Sequence, residues 1–209
     1  MPMSRRRYHR TSSRTQAERR SATQARLLEA TADTLADLGW AGLSTTEVSR
    51  RAGVSRGAQQ HHYPTKMELV AAALEHLLGR LRDEYQTAYT RLPDEQRNVA
   101  GALELFWATL QQPPALALLE LALAGRTDET LHELSKQLNN RVVEIIKEVF
   151  HELFPESLPE DVVDTLIRGL FALLVGLSLQ HSLDGDENGH QRAVLDMIKA
   201  FAQDLIPPA

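Results

Sequence analysis

The chain contains no cysteine, which excludes disulfide bridges and thiolate metal centres and is compatible with a reducing cytoplasm. It also lacks the alternating pattern of half-buried strands, any internal repeat, a phosphate-cradling glycine loop and a Ser/His/Asp constellation. An enzyme is therefore not expected. The longest unbroken apolar run, Gly169 to Leu179, falls short of the roughly 20 residues that span a bilayer and reads as a core helix. The N-terminus carries arginines with no apolar segment behind them, so it does not read as a secretory signal. Two near-motifs fail on inspection. Asp184-Gly-Asp186-Glu-Asn188-Gly189 opens like a calcium loop, but its twelfth position is Leu195 where the bidentate glutamate belongs. His61-His62 has no further ligand nearby, and neighbours on a helix diverge by about 100°, so no metal and no cofactor are expected.

What is present is charge asymmetry and helical periodicity. Residues 1–66 hold 12 Lys+Arg against 5 Asp+Glu, whereas residues 67–209 hold 11 against 23. A positive field over a small N-terminal part suits a polyanion, and the acidic remainder would repel one from the wrong face. Residues 1–14 (M-P-M-S-R-R-R-Y-H-R-T-S-S-R) show no apolar period and read as a basic arm, either solvated or laid along phosphates. From about Thr15 a first helix carries Leu28, Ala32 and Leu35 and stops at Gly39, with Trp40 packing back on it.

The stretch Ser44 to Lys66 organises the rest. Ser44-Thr45-Thr46-Glu47 reads as a capping box in which the serine accepts from the Glu47 N–H and the glutamate reaches back. Val48 and Ala52 give this short helix its buried side, and Gly53 ends it. Ser55 then caps a second helix, so the arrangement is a helix-turn-helix, which lays its second helix in the major groove. On that second helix Arg56, Gly57, Gln60 and His61 share one side, while Gln59 and Tyr63 share the other. Arg56 suits guanine and Gln60 suits adenine, each in a bidentate pair, and His61 suits a phosphate or base edge. Thr45, Thr46, Ser55 and Lys66 complete the candidate DNA-binding set, Lys66 as a phosphate contact.

Past Lys66 the periodicity predicts six further helices: one from Lys66 through Leu81, one from about Asp94 to Leu110, one over 115–124, one from Leu131 to Leu153, one over 160–181 and one over 191–205. Gly169 and Gly176 lie on one face of the eighth helix, which suggests another helix approaching closely. The last two helices are apolar enough to invite a second copy, giving a four-helix interface and two recognition helices at half-site spacing.

The segment Leu27 to Leu69 resembles the DNA-binding domain of the tetracycline-repressor (TetR) family: Leu38-Gly39-Trp40, Ser44-Thr45-Thr46-Glu47-Val48, Ala52-Gly53-Val54-Ser55-Arg56-Gly57-Ala58 and His62-Tyr63-Pro64-Thr65-Lys66. Gln60 stands where the family often has a tyrosine that touches phosphate, and Gln59 where it has a buried leucine. The resemblance implies an all-α chain of about nine helices with residues 15–66 as DNA-binding domain and residues 67–209 as regulatory and dimerisation domain. It implies a cytoplasmic, homodimeric repressor of a palindromic operator, released when a small hydrophobic effector enters a pocket among helices four to eight. Phe106, Trp107, Leu110, Leu119, Phe150, Phe171 and Leu174 are candidate lining residues that read equally as core. Glu120 would either orient a polar effector or face solvent. The competing class is an all-α module that binds a small molecule or a protein and has no operator.

Overall fold

Six of the helix starts among the described residues are written in short side chains that accept from orphan amides. In the computed structural model, which describes residues 15–155, 158–185 and 189–206, Thr15 accepts from the Glu18 N–H while the Glu18 carboxylate accepts from the Thr15 N–H. The same reciprocal box forms at Thr65 and Glu68, and Asn98 and Asp128 cap two later helices. Nine α-helices and no strand result among the described residues: α1 (Gln16–Gly42), α2 (Thr45–Ala52), α3 (Arg56–His62), α4 (Lys66–Thr90), α5 (Val99–Leu110), α6 (Pro113–Ala124), α7 (Glu129–Leu153), α8 (Glu160–Asp184) and α9 (His190–Leu205).

The first helix breaks at Gly39 as expected, where φ +62° and ψ −173° lie outside the helical range, and one further turn carries α1 on to Gly42. The helix expected from Asp94 is instead a single 3₁₀ turn, Asp94–Gln96, and α5 starts afresh once the Asn98 side chain accepts from the N–H groups of Ala100 and Gly101. The arm 1–14 and the acidic positions 186–188 lie outside the described residues.

The main core joins the N-terminal part to the body rather than separating them. Leu27, Leu35 and Val48 are buried together with Leu69, Val70, Leu74 and Leu77 of α4, and with Leu121 of α6 and Leu131 of α7. Each such leucine contributes about 1.5–3 kcal/mol on burial, so α1 and α2 pack directly on α4, α6 and α7. The buried hydroxyls of Thr31 and Thr34 donate back to the carbonyls of Leu27 and Ala30, at 2.7 and 2.6 Å, and so cost the core little. Glu29 pins α4 to α1 by accepting from His76 and Arg80. A second core gathers α5, α8 and α9 around Leu174, Leu195 and Ile198.

α8 departs from the expected core helix. Val163, Ile167, Leu174 and Leu177 turn inward, but Val162, Leu173, Leu179 and Leu183 are exposed, as are Met197, Phe201 and Leu205 on α9. The stretch Glu160–Leu183 is long and apolar enough to cross a membrane by length and composition, with only 28% of its most apolar window buried. Among the described residues nothing comes within 4 Å of where a side chain on Gly169 or Gly176 would begin, and both glycines are exposed on the same bare side.

Candidate nucleic-acid interface and ligand cavity

Ser44 opens α2 by accepting from the Glu47 N–H at 3.2 Å. The expected return bond does not form, because stronger donors compete for the Glu47 carboxylate. Arg50 and Arg51 both donate to it at 2.7–2.8 Å, and hydrogen bonds from Arg50 first and Arg51 second hold its pKa down to about 2. Arg51 also donates to Asp37 of α1, which ties α2 to the helix beneath it. Gly53 closes α2 in the left-handed region, at φ +61° and ψ 37°. Ser55 then caps α3 by accepting from the Ala58 N–H at 3.2 Å.

On α3 the division of faces is the one the 100° step requires. Arg56, Gly57, Gln60 and His61 are exposed together, and Gln59 is buried. The Gln59 side-chain amide donates to the Tyr63 carbonyl at 2.8 Å, so the glutamine at an apolar position satisfies the open end of α3 instead of leaving a void. Thr46 is exposed at the start of α2, with Thr45 half-buried beside it.

Lys66 is half-buried with its Nζ 3.7 Å from the centroid of the Trp40 ring, and burial lowers its pKa against the opposing pull of Asp128. Sequence reasoning also passed over α1. Arg20 lies close enough to His62 that, after burial, its charge is the next cause holding that imidazole below the ordinary histidine value. The Arg26 guanidinium comes within 3.9 Å of where a side chain on Gly53 would begin. Among the described residues neither arginine, nor Arg56, forms a salt bridge within the chain, and His62 Nδ1 is buried without a hydrogen-bond partner. The signal for Arg20 and Arg26 was their basic character alone; their place beside the turn depends on how α1 crosses α2.

A cavity of about 590 Å³ opens among α4 to α9, wider than the expected α4 to α8 because Phe201, Ala202 and Leu205 of α9 also line it, and it is within the range of small-molecule sites. Phe106, Leu110, Leu119, Phe150, Phe171 and Leu174 line it. Trp107 does not; it is half-buried against His181, edge to face with centroids 5.8 Å apart. Nor does Glu120, which is exposed on α6 with its Oε2 3.2 Å from the Cβ position of Gly39. Of the cavity's few polar groups, Tyr85 and the terminal nitrogens of Arg82 are engaged, while Arg82 Nε is buried without a hydrogen-bond partner. Tyr85 donates to the Ala102 carbonyl at 2.9 Å, and burial raises its pKa. Arg82 donates to Glu148 at 3.2 Å and to Glu152 at 2.5 Å. Among the described residues no group of three metal-ligating side chains converges.

The description "Bacterial regulatory proteins, tetR family" matches residues 27–73, the span from the middle of α1 into α4. That span therefore resembles the TetR-family DNA-binding domain, and it is about a fifth of the chain. An HTH-type transcriptional regulator of Mycobacterium bovis is 35% identical over 120 residues, 57% of this chain and 62% of its own length. HTH-type transcriptional regulator CymR of Pseudomonas putida is 37% identical over 124 residues, 57% of this chain and 59% of its own. The chain thus spans about three fifths of the length of the relatives it matches in sequence. Likeness of fold reaches further. A crystal structure of a TetR-family transcriptional regulator from Rhodococcus sp. superposes with a TM-score of 0.68 over 87% of this chain and 98% of that one, at 22% identity.

Proposed function

We propose that this chain is a cytoplasmic, homodimeric transcriptional repressor of the TetR family that binds a near-palindromic operator and is released by a small apolar effector. The observation that carries the reading is α3, whose inner side is packed and hydrogen-bonded while its outer side offers Arg56, Gln60 and His61 together, free of intrachain ion pairs among the described residues. A helix so presented fits the major groove, with Arg56 and Gln60 reading base edges and Thr45, Thr46, Ser55 and His61 set for the backbone. Arg20 and Arg26 extend the phosphate-facing set. Residues 15–66 form the DNA-binding domain and residues 67–209 the regulatory and dimerisation domain. The bare apolar sides of α8 and α9 fit a two-fold four-helix interface.

The effector's chemistry follows from the cavity. With Tyr85 and the terminal nitrogens of Arg82 committed to protein partners and only Arg82 Nε left buried without one, an occupant gains mainly by burying carbon, so an aromatic or aliphatic molecule with few polar atoms fits best. Its effect on DNA requires that it prefer one arrangement of α4, the helix that runs from the recognition unit to the cavity wall.

Selection of bound duplexes from random sequence, followed by footprinting, tests the reading. The expected outcome is one symmetric site, at which Arg56→Ala relaxes the preference at one base position per half-site, a loss of about 1–3 kcal/mol of discrimination. Binding that ignores sequence, in wild type as in the variant, rejects the repressor and leaves a ligand-binding helical module.

A further inference from the structure

The lining of the cavity is one-sided in charge. Among the described residues it holds two guanidinium groups, Arg82 and Arg168, and no carboxylate. Arg168 is exposed on α8 and donates to Asp164 at 2.9 Å. Arg82 is the more enclosed of the two, its side chain 28% exposed against 55%. It reaches from α4 to α7, where Nη1 donates to Glu148 at 3.2 Å and Nη2 to Glu152 at 2.5 Å. Its Nε is buried without a hydrogen-bond partner, so the two glutamates engage only the terminal nitrogens of the fork. Neither glutamate depends on Arg82 alone. Glu148 also accepts from Arg141 at 3.2 Å, Glu152 also accepts from Gln86, and both face solvent. A guanidinium drawn off them leaves each with a partner and with water. A carboxylate entering an apolar cavity, by contrast, needs a paired cation to offset its lost hydration.

We propose that the cavity takes an organic anion, a hydrocarbon body bearing one carboxylate, and that Arg82 binds the carboxylate in exchange for Glu148 and Glu152. This rests on the effector-binding reading above and adds the charge of the effector. A planar guanidinium meets a carboxylate through two parallel charge-assisted bonds, which a neutral group of the same shape does not match. The exchange also has a structural consequence. Arg82 ties α4 to α7, beside the bond from Gln86 to Glu152 and the ion pair of Arg141 with Glu75 at 3.6 Å. An anion that captures Arg82 removes two of those ties from α4, the helix that begins at the recognition unit.

Calorimetric titration of the full-length protein with two shape-matched pairs tests this: decanoate against decanamide, and phenylbutyrate against phenylbutyramide. The acid should bind about tenfold more tightly than its amide, the margin of a charge-assisted over a neutral hydrogen bond. Arg82→Met should abolish that preference. Glu148→Gln combined with Glu152→Gln should enlarge it several-fold, since the anion then displaces no carboxylate. In an Arg82→Met background the two glutamines should change nothing; an enlargement that persists there means only lost negative charge and overturns the exchange. Circular dichroism checks that each variant folds. The paired glutamine variant, which keeps Arg82, carries the test if Arg82→Met does not fold, and an unchanged preference in it overturns the proposal. An amide that binds as tightly as its acid removes the anion and leaves an apolar effector site. If no member of either pair binds, the effector reading falls together with this one.

Discussion

Glu47 illustrates how one side chain can be read correctly for position and wrongly for partner. Its place at the third residue of α2 fits a capping box, but two guanidinium groups within one turn are charged donors and outcompete a neutral backbone N–H for the same carboxylate. Because the folded pKa is depressed to about 2, the carboxylate contributes stability that is present at neutral pH and down to the unfolded value. That contribution is lost as pH falls through the folded value. Glu47→Gln should therefore lower the urea midpoint at pH 7, and the gap from wild type should close as the pH is taken from about 4.5 toward 2. A gap that stays constant through that window would show that Glu47 acts through packing rather than charge. Gln59 shows the complementary case. Its burial was legible from the helical step, but its bond to the Tyr63 carbonyl was not, since that bond depends on the extended conformation in which α3 ends.

At the scale of elements, the turn between α2 and α3 fixes the angle at which the outer side of α3 is presented. Gly53 holds the left-handed conformation there, and a side chain would meet nothing nearer than the Arg26 guanidinium at 3.9 Å. The cost of Gly53→Ala is therefore conformational rather than steric, about 1–2 kcal/mol. Gly53→Asn should lose less, because asparagine tolerates this region. Thermal unfolding of the two variants should rank them in that order; equal losses would mean that crowding by α1, not backbone strain, governs the turn. Helix order and most ends were readable because caps and periodic leucines sit close together in sequence. The restart at Asn98 was missed because Pro93 and Asn98 are both plausible starts, and only the carbonyls and amides of the intervening turn decide between them. The contact of Lys66 with Trp40 was beyond sequence reasoning for a different reason. It joins the end of one helix to the start of another across 26 residues, and it exists only once α1 kinks at Gly39.

For the whole molecule the unresolved energy lies on α8 and α9. Leu173, Leu183, Met197 and Phe201 stand 45%, 79%, 64% and 55% exposed, and covering side chains of this size is worth about 1.5–3 kcal/mol each. Gly169 and Gly176, costly in a helix interior and approached by nothing among the described residues, lie on the same side. Both features make sense if a second copy's α8 crosses there, with the absent side chains letting the backbones come close. Two recognition helices would then be held at a separation near 34 Å, one turn of duplex. Leu173→Glu places a charge at the centre of that contact, at an exposed position that does not itself line the cavity. The expected result is a monomer by sedimentation at concentrations where the wild type is a dimer, with helix content retained. The variant's affinity for a duplex carrying two half-sites should fall to that for a single half-site. A variant that sediments as the wild type does would move the interface off α8. A variant that becomes monomeric yet keeps full affinity for the paired site would separate dimerisation from DNA recognition, and the repressor reading would lose its geometric basis.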